Sequence, residues 1–105
     1  MDRNTEQKVP VMVIFDLPEF WPTGLQQAIP AQRVLINALL GKGVVQSYSI
    51  STDRTKVWMV LVVEDDQLAV DQVISTFPIL PFVDYRWEPL LFTNDSSSVM
   101  HYSLN

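Results

Sequence analysis

Read from its amino end, the chain switches repeatedly between the period of a strand and that of a helix. After a polar leader, VPVMVIFD (9–16) is rich in β-branched residues and apolar on both faces, which predicts a strand. LPEFWPTG (17–24) reads as a loop from its prolines and glycine, with Thr23 as the expected helix cap. Leu25, Ala28, Ile29, Leu35, Ile36, Leu39 and Leu40 then recur at helical spacing until GKG (41–43). Pro30 is expected to kink this helix or to open its main part. VVQSYSI (44–50) and KVWMVLVV (56–63) are strand-like runs joined by STDRT, which together read as a hairpin. EDDQLAVDQVISTF (64–77) predicts a second helix, acidic at its start where the helix dipole favours negative charge. Its inward stripe is Ala69, Val70, Val73, Ile74 and Phe77, and Pro78 closes it. FVDYRWE (82–88) is the last strand, alternating Val83, Tyr85 and Trp87 with Asp84, Arg86 and Glu88.

The resulting order, β-α-β-β-α-β, is the ferredoxin-like arrangement: an α+β fold with a four-stranded antiparallel sheet and two helices on one face. The first and third strands should be central, because they are apolar on both faces, and the other two should be edges. Two helices cover only one face of such a sheet, so the apolar opposite face needs a second layer. A homodimer, sheet against sheet, supplies it as a dimeric α+β barrel.

Composition narrows the class. At 105 residues the chain is one domain, with a core over about 9–92 and a polar tail over 93–105. The 48% hydrophobic content exceeds what a small monomer comfortably hides. A net charge of −5 with scattered basic residues argues against nucleic acid as partner. There is no cysteine, which excludes disulfides, thiolate nucleophiles and thiolate metal sites, and the single histidine, His101, lies in the tail. The polar start predicts no secretory leader, and no apolar run approaches the roughly 20 residues of a membrane span. A cytoplasmic protein without membrane attachment is the expectation, and an ordered polar tail would rest on some other surface, with another subunit as one candidate.

FPILPFVDYRWEPL (77–90) carries a family pattern. Phe77-Pro78 closes a helix, Pro81 follows, and a final strand bears Asp84 before Pro89-Leu90. Together with AQR (31–33), GKG and SYSIS (47–51), this resembles the muconolactone isomerase-like proteins over about residues 9–92. The resemblance implies a dimeric α+β barrel, which can assemble into a higher homo-oligomer. It also implies an isomerase that moves one proton within a small unsaturated lactone or related organic acid, using neither metal nor organic cofactor. The absence of histidine from 9–92 weighs against the His-Asp chemistry of related stand-alone barrels.

Candidate chemistry follows from the strands. With Asp53 at the hairpin centre, Tyr48 falls opposite Trp58, Gln46 opposite Val60 and Ile50 opposite Lys56. Gln46, Tyr48 and Trp58 would then share the barrel-side face, where they either line a cavity for a small ligand or pack across a dimer interface. Asp84, Arg86 and Glu88 share one face of the last strand; Arg86 can hold a carboxylate and Asp84 or Glu88 can move a proton. Alternating charges also serve simply to protect an edge strand. Asp16, at the end of the first strand, is a candidate base or an ordinary turn residue. The catalytic candidates are thus Asp16, Tyr48 and Glu88, and the substrate-binding candidates are Arg33, Trp58, Asp84 and Arg86. Asp53 and Arg54 read as turn chemistry, GKG lacks phosphate-loop spacing, and Ser96 to Ser98 have no accompanying base. Against the isomerase stand a non-catalytic small-molecule-binding or structural oligomeric barrel and, more weakly, a cofactor-free monooxygenase.

Overall fold

The structure is a computed structural model that describes residues 8–64 and 67–91. It contains β1 (Lys8–Asp16), α1 (Thr23–Gly41), β2 (Val45–Ile50), β3 (Lys56–Glu64), α2 (Gln67–Ile74) and β4 (Asp84–Pro89), with a 3₁₀ turn at Leu80–Phe82. All strand pairs are antiparallel and the sheet order is β2-β3-β1-β4. The doubly apolar strands, β1 and β3, are central. The mixed ones are edges. This is the ferredoxin-like arrangement predicted from the pattern.

Both helices pack on one sheet face. Val11, Val13 and Phe15 of β1 alternate inward beside Val57, Met59, Leu61 and Val63 of β3, and Leu25 and Ile36 of α1 and Val70 and Ile74 of α2 close over them. Phe15 anchors this core: its ring lies 5.8 Å from Phe77 and 6.0 Å from Tyr85, within the range of favourable tilted aromatic pairs. Phe77 therefore finishes the α2 stripe although the helix itself stops at Ile74. Glu64 ends β3 instead of opening α2, and Asp65 and Asp66 lie outside the described residues.

Three local expectations change. Thr23 does not cap α1: Pro22 holds the cap position and no side chain bonds the first turn. Pro30 does not open the helix, which runs from Thr23 through it to Gly41; its ring is exposed to solvent and its missing N–H removes one rung. The last strand starts at Asp84, because Leu80–Phe82 coils first. The end of α1 behaves as its glycines suggest. Gly43 takes φ 78°, Gly43 N–H bonds Leu40 O at 3.1 Å and Val44 N–H bonds Leu39 O at 3.0 Å, the paired bonds of a Schellman cap. Near the other end of α1, Gly24 lies against the Phe82 ring, where an added Cβ would come within 2.7 Å.

The hairpin register differs by one residue from the Asp53-centred expectation. Tyr48 pairs with Met59, Ser49 with Trp58 and Ile50 with Val57, with a bulge between Val45 and Ser47. The turn explains the slip. Ser51 Oγ accepts Thr55 N–H and Lys56 N–H, Asp53 Oδ1 accepts from Ser51 Oγ, Thr55 Oγ1 and Thr55 N–H, and Arg54 adopts φ 64°. These bonds fix an asymmetric loop, and one residue of slip moves every β2 side chain to the other face. The leader and the tail, including His101 and Ser96 to Ser98, lie outside the described residues.

Candidate functional site

The face away from the helices is a grid set by strand register. Arg86, Ile14, Trp58 and Ser49 form one row across the four strands; Glu88, Met12, Val60 and Ser47 form the next. Asp84, Asp16 and Lys56 make a third row at one end. The result is an apolar strip of Met12, Ile14, Trp58, Val60 and Val62 bordered by charge. Trp58 is 40% exposed although it sits on a central strand. No helix of the described residues covers this face.

At its charged end, Asp16 is held on both sides. Lys56 Nζ donates to Oδ1 at 2.6 Å and Arg86 Nη1 donates to Oδ2 at 2.6 Å, tying β3, β1 and β4 together. The Lys56 hydrogen bond, followed by that from Arg86, holds the Asp16 carboxyl below the usual carboxylate range. A carboxylate so stabilised is a weak base toward a C–H bond. It is better suited to fixing two cations at the rim. Asp84 stands beside Asp16 in register, exposed, and Glu88 makes no ion pair among the described residues.

Of the sequence candidates, Asp16, Trp58, Asp84, Arg86 and Glu88 thus converge on the open face. Tyr48 does not join them. The register turns its side chain to the helix side of the sheet, where it packs against the core. Arg33 is also on the helix side, exposed on α1. Between α1 and edge strand β2 a groove of about 510 Å³ brings these two together, with Gln32, Ile36, Asn37 and Ile50 among its walls. Burial pushes the Tyr48 hydroxyl's pKa up, while the Gln32 amide acts in the opposite sense. Tyr48 is therefore neutral at physiological pH and cannot be a phenolate base.

Two residues escaped the sequence reading. Lys56 was visible only as the start of a strand, and its role depends on the neighbouring register. Gln32 carries a readable signal: it occupies a position of the α1 apolar stripe, three residues after Ile29 and four before Ile36. It is 2% exposed, the one polar residue in the core among the described residues. Among those residues no group of three or more His, Cys, Asp and Glu side chains could hold a metal ion, and no helix is long and apolar enough to cross a membrane. No protein-family model and no curated protein sequence matches the chain.

Proposed function

We propose that the chain is a muconolactone isomerase-like barrel protein that pairs with a second copy through the open sheet face and receives a small organic acid, acting as a binding module ahead of any catalysis. The observation that carries this reading is the apolar strip of Met12, Ile14, Trp58 and Val62, with the buried Val60 among them, on the uncovered face of a helix-backed sheet. A second copy suits it on charge as well. The Asp84–Asp16–Lys56 row and the neighbouring Arg86 mix signs, so two copies related by a two-fold axis can meet without stacking like charges. The burial of Trp58 across the axis would supply the central aromatic contact typical of such interfaces. Trp58→Asp should leave the circular dichroism spectrum intact and delay elution in gel filtration. An unchanged elution volume for the folded variant would refute the interface.

The isomerase reading retains one supporting feature. Glu88 stands on the same face, free of ion pairs among the described residues, and so could exchange a proton where clamped Asp16 cannot. Incubating the protein with an unsaturated γ-lactone acid in D₂O tests it. Protein-dependent deuterium incorporation that disappears in Glu88→Gln would establish catalysis, whereas no incorporation leaves the binding module.

A further inference from the structure

Of the two edge strands, β4 is defended and β2 is not. β4 carries Asp84, Arg86 and Glu88 in alternation and ends at Pro89, the charges and proline that deter a further strand. β2 reads VQSYSI, with neither a charge nor a proline, and no strand lies on its outer side among the described residues. Its bulge falls between Val45 and Ser47, so the ladder from Ser47 to Ile50 is regular. Ser51 N–H donates to Lys56 O at 2.9 Å, which sets the phase of that ladder. Ser47 and Ser49 therefore bond β3, and the N–H and C=O of Tyr48 and Ile50 point out from the sheet margin. Such a row of outward backbone groups is a template for another strand.

The side chains at this margin suit a second copy of the same strand. The run Ser47-Tyr48-Ser49-Ile50-Ser51 is self-complementary about Ser49: antiparallel pairing with itself sets Tyr48 against Ile50 and Ser47 against Ser51. Tyr48 against Ile50 is an aromatic–β-branched pair, and Ser49 meets its own copy, where the hydroxyls can exchange a hydrogen bond. Tyr48 and Ile50 are also the residues whose backbone points outward, so this register joins outward groups to outward groups. A slip of one residue would set outward groups against inward ones. Ile50 is 51% exposed, and Leu40 of α1, at the same margin, is 40% exposed; pairing covers both. Charge points the same way. No acidic residue occurs between Glu19 and Asp53, so two copies of net charge −5 can approach here without stacking carboxylates. Arg33, the cation at this margin, is exposed and can keep its head in water.

We propose that β2 pairs antiparallel with β2 of a second copy about Ser49, joining the two sheets into one continuous sheet. This surface is distinct from the apolar strip of Met12, Ile14 and Trp58, and the interface goes beyond the open-face pairing. A short ladder and a strip of helix bury less than a standard interface, so this contact is the weaker of the two. It joins open-face pairs into larger assemblies at high concentration. Chains that have lost the open face meet through it only transiently.

Disulfide trapping tests this, because the chain has no cysteine of its own. Ser47 and Ser49 are both exposed, so a thiol at either position leaves the core intact. In the proposed register Ser49 lies directly opposite its copy at a non-hydrogen-bonded site, with Cα atoms about 4.5 Å apart and within disulfide reach. Ser47 lies opposite Ser51 instead, which leaves it roughly 13 Å from its own copy. In a glutathione redox buffer, Ser49→Cys should form a disulfide-linked dimer roughly tenfold faster than Ser47→Cys. The same preference should persist, at a lower overall rate, when Trp58→Asp removes the open-face pairing. Adding Ile50→Asp, which brings two carboxylates near the axis, should slow trapping roughly tenfold or more. Equal trapping at Ser47 and Ser49, or trapping indifferent to Ile50→Asp, would overturn the edge pairing. Trapping abolished by Trp58→Asp would assign the contact to the open face, overturning the edge pairing and leaving the open-face reading standing. A Ser49→Cys chain recovered only as its glutathione adduct would overturn the second copy as the occupant of this edge.

Discussion

The two faces of one sheet make opposite use of similar residues. On the helix side, Val13, Phe15, Met59 and Leu61 are wholly buried against α1 and α2. On the other side, their immediate neighbours Met12, Ile14 and Trp58 remain partly or substantially accessible. Both sets are apolar, so hydrophobicity alone cannot say which is core and which is interface. What separates them is the layer above. The helices supply it on one side, and the second copy supplies it on the other under the proposed function.

Substitutions on each face should break this symmetry. Phe15→Ala removes a ring that touches both Phe77 and Tyr85, and should cost about 3–5 kcal/mol of folding stability in denaturant melts. A loss under about 1 kcal/mol, the scale of an exposed-site change, would mean that the helix face is not the core described. Gly24→Ala forces a methyl against Phe82 and should cost about 1–3 kcal/mol, read as a lowered melting temperature. Trp58→Ala on the open face should spare the fold of a single chain and act instead on the concentration dependence of melting. If melting of the wild type shows no concentration dependence, the two faces differ less than argued.

The smallest effects belong to exposed charges. Asp53 is held at a pKa of about 2, first by the Ser51 hydroxyl and then by the Thr55 hydroxyl and N–H. Its folded pKa lies below its unfolded value, so its contribution is present above the unfolded carboxylate range and is lost as pH falls toward about 2. Asp53→Asn should lower the melting temperature slightly at neutral pH, converge with the wild type as pH falls toward 2, and so flatten the dependence on pH between roughly 4 and 2. A wild-type profile indistinguishable from that of the variant across this interval would contradict the turn geometry. Asp16 follows the same sign, but its partners are exposed, and Asp16→Asn should barely move the neutral-pH melt.

The comparison also explains what could be read from residues alone. Strand order was legible because β1 and β3 are apolar on both faces, a pattern that only central strands need. The open-face cluster was legible in part, since Asp84, Arg86 and Glu88 must share a face on any strand. The placement of Tyr48 was not. QSYS alternates weakly, either register leaves polar residues on both faces, and the choice fell to hydroxyl and carboxylate bonds within STDRT. Arg33 and Gln32 required the rotation of α1 over β2, which depends on packing against both helix and sheet. Gln32 within an apolar stripe was a visible irregularity, but its bond to Ile79, distant in sequence, gave it meaning.

Sedimentation equilibrium of the wild-type chain tests the role of the open face most directly. The account predicts a species of twice the 12.0 kDa chain mass, or a multiple of it, that Trp58→Asp reduces to a folded monomer. A wild-type protein that remains at 12.0 kDa up to hundreds of micromolar, about the scale of weak association, would contradict it.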